Sequence, residues 1–329
     1  EYGFDAAFFG SRIGLEFTRY ERKISDLLLT FPLAPTSGLG NQLINASCPA
    51  GSSCTDHQLS VLGKEAVLSA IPLRTNNFEW TSRIIFNQNV QYTNDIPVPD
   101  FAVPGSFGAS YGRNRIARNL RSTYIWGNAP FRPSATAPGG FATADTILYD
   151  SNPIHTTTFN NDFTYKRFTF SFLADWRAGG YVSNMTNNLW DEGGQSRDYD
   201  DPAPASMFPG SRPCDSNGFA AGGDPLTLGA CRYATFNGGD VRPYMQKGSY
   251  VKLREVMVNF QAPDSWAAKI PGANSLRFNL SGRNLALFSD YWSFDPEFNN
   301  FGNTNFNRFI DLAPFPSSRQ FFLSVDVGF

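Results

Sequence analysis

Apolar and polar residues alternate along many short segments of this chain, and this alternation constrains the fold more than any other feature. In 166–177, KRFTFSFLADWR, every second residue from Phe168 to Trp176 is apolar. The chain ends on the same pattern, RQFFLSVDVGF, at 319–329. Side chains of a strand point alternately to its two faces, so these segments predict strands with one apolar and one polar face.

Similar strands are predicted elsewhere, at 2–9, 12–20, 60–72, 77–86, 154–164, 249–260 and 275–284. In 249–260 the apolar residues change face between Leu253 and Val256, which predicts a β-bulge near Arg254–Glu255.

The composition favours a strand-built membrane protein. Aromatic residues make up 15% of the 329 residues, with 31 Phe, yet the mean hydropathy is −0.30. No run reaches the 18 or so apolar residues of a membrane-spanning helix. The formal net charge of −2 gives no electrostatic basis for nucleic-acid binding. We therefore expect an all-β protein, a transmembrane antiparallel β-barrel.

The polar faces are rich in Arg, Asn, Ser and Thr, which suits the wall of a polar lumen. A large soluble β-protein also explains the alternation, but it does not explain why aromatic residues crowd the strand ends. They are Tyr2, Tyr20, Trp80, Tyr124, Trp126, Tyr165, Trp176 and Tyr250. Such residues form girdles at membrane interfaces.

Short and long connections alternate along the chain. The long ones are 32–59, 89–153, 178–248 and 287–317. Outer-membrane barrels have long extracellular loops and short periplasmic turns, so 89–153 must contribute no barrel strand or two, with 114–127 and 143–149 as the candidate pair. Nine or eleven strands result. A complete bacterial barrel has an even number of strands, so an odd number indicates that some strands are missing. The chain also begins without a signal peptide. We therefore expect a fragment of a longer protein.

The cysteines fall in two local pairs within loop-type sequence: Cys48, Cys54, Cys214 and Cys231. This spacing predicts two disulfides and an oxidising compartment; metal ligands or free thiols are the alternatives. The acidic run 191–201 offers calcium-type oxygen ligands, although it lacks the EF-hand spacing and also fits a solvated loop. Its carboxylates are Asp191, Glu192, Asp198, Asp200 and Asp201.

Several motifs resemble the closing section of SusC/RagA-type TonB-dependent outer-membrane transporters. They are GSYVKLREVMVNFQAP at 248–263, SLRFNLSGRNLALFSDYWSFDP at 275–296 and the terminal SVDVGF, with agreement in order at 12–29, 62–89 and 156–180. The resemblance implies a 22-stranded barrel filled by an N-terminal plug. Residues 1–329 then form the C-terminal part of the barrel, and the plug, TonB box and N-terminal domains are absent from this chain.

The resemblance also implies function: TonB-dependent import, across the outer membrane, of a nutrient such as an oligosaccharide or a peptide. The implied partners are the remaining strands and plug, a SusD-like surface lipoprotein, the TonB complex through the missing N-terminal part, and membrane lipid. No catalytic constellation surrounds His57 or His155, so we expect no enzyme, and no cofactor beyond the possible calcium. Two alternatives stay open: a structural or adhesive surface barrel, and a soluble carbohydrate-binding β-protein.

Ligand contacts are expected from the loop motif SDYWSFDPEF, whose aromatic rings suit stacking on a sugar. The candidates are Tyr291, Trp292, Phe294, Asp295, Glu297 and Phe298. The motif matches a family pattern, which favours a structural role instead. Arginines predicted to face the lumen are expected to pair with carboxylates: Arg167, Arg177, Arg277 and Arg283. The terminal Phe329 resembles the signal that directs barrel assembly.

Overall fold

The structure is a computed structural model that describes residues 1–47, 58–104, 107–131, 142–208, 211, 213–214, 226–300 and 306–329. In these ranges the strands are β1 (Tyr2–Phe8), β2 (Ile13–Ile24), β3 (Leu28–Pro32), β4 (Asn41–Asn45), β5 (Leu59–Arg74), β6 (Phe78–Thr93), β7 (Phe101–Ala102), β8 (Arg113–Ile116), β9 (Tyr124–Phe131), β10 (Ala142–Asp150), β11 (Pro153–Tyr165), β12 (Phe168–Gly179), β13 (Tyr181–Asn184), β14 (Met245–Lys247), β15 (Tyr250–Gln261), β16 (Ser275–Phe288), β17 (Ile310–Asp311) and β18 (Gln320–Gly328). The helices are α1 (Met185–Glu192), α2 (Leu228–Asn237) and α3 (Asp264–Ala267), with 3₁₀ turns at Pro35–Ser37 and Arg242–Tyr244.

One large antiparallel sheet dominates the described chain. Its nine strands lie in the order β1-β2-β5-β6-β11-β12-β15-β16-β18. Along this order, short and long connections alternate between neighbouring strands. The short connections lie at one end of the strands, and the long connections lie at the opposite end. The sheet is the wall of a transmembrane barrel, so the short-connection edge is periplasmic and the long-connection edge extracellular.

The two faces of this sheet differ as the alternation predicts. On one face, strand pairing aligns Trp80 with Phe163, Phe163 with Phe170, and Phe170 with Val258. The rings of Trp80 and Phe163 stack with centroids 5.5 Å apart. This apolar face is the lipid-facing side, and the opposite face carries the polar side chains and lines the lumen.

The predicted bulge in β15 is confirmed. Leu253 pairs with Ala174 and Glu255 with Leu173, so Arg254 has no counterpart on β12. The extra residue turns the apolar side chains that follow it back to the lipid-facing side.

Within the described ranges the wall has nine strands, and the candidate pair in 89–153 is not part of it: β6 pairs directly with β11. Strands β7 to β10 form a separate four-stranded sheet. Tyr124 and Trp126 therefore lie outside the barrel wall, and their assignment to an aromatic girdle is wrong. The alternation in these segments reflects a folded extracellular layer, which sequence periodicity does not distinguish from wall strands.

Buried side chains concentrate in this extracellular layer. One core contains Ile125, Met185, Val241, Tyr244 and Ile310, drawn from separate connections. The predicted disulfide between Cys214 and Cys231 is present and ties α2 to the preceding segment, with the two Cα atoms 5.3 Å apart. Cys48 and Cys54 lie outside the described residues.

Helices contribute little to the architecture. None of those in the described ranges is long and apolar enough to cross a membrane.

Candidate functional site

A cavity of about 750 Å³ lies at the extracellular end of the lumen-facing side. Its floor is formed by the ends of strands, including Gln91, Thr156 and Tyr250, and its roof by the connections above them. The charged residues among its described lining are Arg177, Glu297 and Arg308. The cavity therefore lies between the extracellular ends of the wall strands and the connections that cover them.

The roof is fixed to the surrounding loops by paired amides. The backbone N–H of Asn307 donates to Oδ1 of Asn114 at 2.7 Å, and the backbone N–H of Asn114 donates to Oδ1 of Asn307 at 3.3 Å. Both residues line the cavity and are buried. Because Asn114 and Asn307 are distant in sequence, these bonds join two separate connections within the roof.

An ionic network clamps the 289–300 segment to the wall. Lys252 Nζ lies 2.6 Å from carboxylate oxygens of both Asp295 and Glu297. Arg254 binds Glu297 at 2.7 Å and Asp175 at 2.6 Å. The bulge places Arg254 on the lumen side, where one guanidinium reaches both a wall carboxylate and a loop carboxylate.

The clamp also sets the ionisation of Glu297. Burial on its own raises the pKa of this carboxyl, but the hydrogen bonds from Arg254 and Lys252 outweigh it and lower the pKa to about 2. Glu297 is therefore ionised at neutral pH, and its charge is balanced inside the protein.

Among the described residues, neither Arg177 nor Arg308 forms an ion pair with a carboxylate. Arg177 donates from Nη2 to the carbonyl of Ser151 at 3.1 Å, and its Nε is buried without a partner among the described residues. Arg308 is exposed in the cavity and lies near enough to Arg177 for the two charges to repel each other. Hydrogen-bond donors remain available in this part of the cavity.

A second ionic network holds the two longer helices together. Arg232 is fully buried and lies between Asp191, at 2.6 Å from Nη2, and Asp198, at 2.8 Å from Nη1. Tyr244 donates its hydroxyl to Asp191 at 2.8 Å, and burial followed by the Asp191 charge raises the pKa of Tyr244. The hydrogen bond from Arg232 lowers the pKa of Asp198.

The calcium candidates are consequently divided. Asp191 and Asp198 bind the guanidinium of Arg232, whereas Glu192, Asp200 and Asp201 are exposed. Within the ranges that the structure describes, no group of three or more Asp, Glu, His or Cys side chains is placed to hold a metal ion. Calcium binding by this run stays a prediction.

The six candidate ligand contacts of the 289–300 segment also divide. Tyr291 is buried and donates its hydroxyl to Asp311, while Asp295 and Glu297 belong to the clamp. Burial raises the pKa of Asp311, although hydrogen bonds from Thr186 and Tyr291 oppose the rise. Tyr291, Asp295 and Glu297 are thus engaged in holding the loop.

The remaining aromatic rings have different surroundings. Trp292 and Phe294 are about half exposed, at 51% and 52%. Phe294 meets Trp190 edge to face with centroids 5.8 Å apart, and the Arg232 guanidinium lies 4.8 Å from the Trp292 ring. Lys252 lies 5.5 Å from the ring of Phe298. Trp292 and Phe294 keep surface available for a ligand.

The comparisons with known proteins agree with this geometry. No model of a protein family matches the chain. TonB-dependent receptors P3, P26 and P39 of Formosa agariphila are 26%, 25% and 21% identical over 100%, 99% and 100% of this chain. The resemblance to TonB-dependent receptors is confirmed. The chain spans about a third of the length of these relatives, covering 34%, 34% and 35% of them.

Solved structures support the receptor fold. The RagAB peptide importer in its closed-closed state superposes with a TM-score of 0.67 at 16% identity, over 99% of this chain and 34% of that one. A second structure, of the RagAB peptide transporter, gives 0.68 at 17% identity with the same coverage. At these identities the likeness shows the fold.

The arginines that were predicted to pair with carboxylates have different kinds of partner in the structure. Arg283 pairs with Glu255 at 3.3 Å, as expected, whereas Arg277 donates to the side-chain oxygen of Gln261 at 3.2 Å and Arg167 to a backbone carbonyl. Sequence reasoning missed Arg308 and Arg232. No local pattern marks either residue, because their neighbours come from distant parts of the chain.

His155 is held in the wall by ring contacts. His155 packs against Phe86 and Trp176, with ring centroids 5.3 and 4.6 Å away, and its Nδ1 lies 3.2 Å from the hydroxyl of Thr157. His57 lies outside the described residues.

Proposed function

We propose that this chain forms part of the barrel wall and extracellular loops of an outer-membrane, TonB-dependent importer of a nutrient such as an oligosaccharide or a peptide. The observation that carries the proposal is the cavity of about 750 Å³ on the lumen side. Its position under the extracellular layer, in a fold similar to TonB-dependent receptors, suits the capture of a solute before passage.

The cavity chemistry favours a solute that presents acceptor groups. Glu297 is already neutralised by Lys252 and Arg254, while Arg177 and Arg308 offer guanidinium donors. Guanidinium groups match carboxylates and other acceptors through paired N–H groups. Trp292 and Phe294 add exposed ring surface, of the kind on which sugars and apolar side chains pack.

The partners follow from the same proposal. The remaining strands and the plug complete the barrel, because an open sheet edge in lipid leaves backbone groups unpaired. A SusD-like surface lipoprotein covers the extracellular side, and TonB acts through the N-terminal part of the whole protein.

Deletion and complementation test this function. Cells without the receptor gene should lose uptake of one class among fluorescent oligosaccharides and peptides, and the intact gene should restore it. A gene that lacks the TonB box should not. Uptake that survives deletion, or that continues without the TonB box, contradicts the proposal and favours a structural or adhesive role. Co-purification with a surface lipoprotein tests the partner.

The cavity itself is tested by Arg308→Gln. This variant should lower uptake without lowering the amount of folded receptor in the membrane. Arg83→Gln is the matched control, since Arg83 also faces the lumen but lines a separate cavity at the other end of the strands. Equal effects of the two variants would count against solute binding in the larger cavity.

A further inference from the structure

The lipid-facing side of the wall carries an apolar band whose extracellular boundary includes charged side chains. Along β12 the band runs from Phe168 to Trp176, which is about 26 Å at roughly 3.3 Å per residue. This length matches the apolar band of about 25 Å found on outer-membrane barrels. On the strands towards β1, the row level with Trp176 contains Phe17, Ala66 and Phe86, which are aligned by strand pairing.

Two cations lie side by side directly above this row. Arg19 pairs with Lys64, and Lys64 pairs with Gln88, one rung closer to the extracellular edge. Because alternate residues share a face, Arg19 and Phe17 both point to the lipid side, as do Lys64 and Ala66. The cations are thus about 7 Å above this row. Leu62 and Val90 pair on the same face one rung further out, so the two cations lie in the boundary zone between the acyl chains and the lipid headgroups.

Neither cation is neutralised within the described chain. Both side chains are exposed, and none of the ion pairs among the described residues includes them. The nearest acidic residue on the same face, Glu21, pairs with Lys23 at 3.6 Å. Like charges placed directly opposite each other on adjacent strands destabilise a sheet. An anion bound between the two side chains removes this repulsion.

The surroundings identify the anion. A phosphate accepts charge-assisted hydrogen bonds from both guanidinium and ammonium groups. The apolar row beneath the cations, with Phe17 and Phe86, offers a surface for acyl chains attached to that phosphate. A soluble anion would contact only the two cations, whereas a lipid contacts the cations with its phosphate and the apolar row with its acyl chains.

We propose that Arg19 and Lys64 bind the phosphate of a lipid headgroup in the outer leaflet. The site lies on the outer side of the wall, away from the solute cavity. It rests on the proposed placement of the barrel in the outer membrane, and it is independent of what the receptor imports. It binds a structural lipid to the wall at the boundary of the apolar band.

Lipid titration followed by native mass spectrometry tests this site. The whole receptor, in a neutral detergent, is titrated with diphosphoryl lipid A, with its fully dephosphorylated form and with inorganic phosphate. The variants are Arg19→Gln, Lys64→Gln and their combination. The control is the double variant Arg83→Gln/Lys269→Gln, which also removes one arginine and one lysine. Arg83 faces the lumen, and Lys269 lies exposed at the periplasmic end.

The wild-type receptor should bind the phosphorylated lipid more tightly than the dephosphorylated form. Each single variant should weaken binding about fivefold and the double variant roughly thirtyfold, as expected for one and two cations at a membrane surface. The control should bind as the wild type does. Folding of every variant is checked on gels, where the folded receptor in an unboiled sample migrates faster than the unfolded receptor in a boiled sample.

Three results overturn the proposal: equal binding of the two lipid forms, unchanged binding by the double variant, or displacement of the lipid by millimolar inorganic phosphate. The last result would assign the site to a soluble anion. Cell fractionation reports separately whether the receptor is in the outer membrane, and uptake assays report whether it imports. Failure of the lipid site is therefore distinguishable from failure of the proposed function.

Discussion

Replacement of Arg232 by Met should loosen the extracellular layer without removing the barrel. Arg232 is fully buried and is the shared partner of Asp191 on α1 and Asp198 beyond it. Methionine keeps much of the side-chain volume but provides no donor. Asp191, also fully buried, then keeps only the hydroxyl of Tyr244 as a side-chain hydrogen-bond donor among the described residues.

The magnitude follows from burial. Removal of one partner of a buried ion pair costs about 3–5 kcal/mol, because the remaining charge stays in a medium that solvates it poorly. Asp198 is different, since 23% of its side chain is exposed and water can replace part of the lost bond. Asp198→Asn is therefore the matched control, with an expected cost of about 1 kcal/mol.

Hydrogen exchange on the whole receptor measures both variants. The relevant amides are those of α2, which opens when the network breaks. At about 1.4 kcal/mol per tenfold, Arg232→Met should speed their exchange by roughly a hundredfold to a few thousandfold, and Asp198→Asn by about fivefold. Amides in the wall strands should exchange as in the wild type.

Equal exchange rates in the two variants would refute this reasoning, because they would show that burial does not set the cost. Faster exchange in the wall strands would also refute it, since the network would then stabilise the barrel as a whole. The double variant Asp191→Asn/Arg232→Met should recover part of the loss by removing the unpaired charge.

Three further predictions concern the loop clamp, the wall and the chain end. The pKa of Glu297 lies near 2, below its ordinary 4.5, so the stability that this carboxylate contributes is present above about pH 4.5 and is lost as the pH falls through 2. Tryptophan fluorescence should report a change in that pH window, and the Glu297→Gln variant should lack this change. Gly63→Val should destabilise the wall by about 1–3 kcal/mol, because a Cβ there would lie 2.0 Å from the Tyr20 ring, and Tyr20→Ala should restore the folded fraction on gels. Deletion of Phe329 should impair membrane assembly more than ligand binding, and normal surface levels of the deletion would contradict this.

The wall was predictable because its signal is local. Alternation in 166–177 and 275–284 fixes which side chains point to lipid and which to the lumen, and the change of face around Arg254 locates the bulge without a structure. The strand bounds in the structure, Phe168–Gly179 and Ser275–Phe288, extend these segments by a few residues at most. Each depends only on the period of two in a strand.

The extracellular layer was not predictable in the same way. Segments 114–127 and 143–149 alternate as wall strands do, yet the structure pairs them in another sheet. The acidic run 191–201 suggested calcium, but Asp191 and Asp198 bind Arg232, which is 41 and 34 residues away from them. In both cases the partner is distant in sequence and no periodicity points to it.

The sequence by itself determined the antiparallel wall, the assignment of its two faces, the bulge and the family resemblance, because these depend on side-chain periodicity and short motifs. Only the tertiary structure decided which connections pair, which carboxylates are neutralised, and where Arg177 and Arg308 meet in one cavity. It also set Arg19 beside Lys64, since strand register brings together residues from separate hairpins. Such contacts arise from packing and electrostatics between segments far apart in the chain.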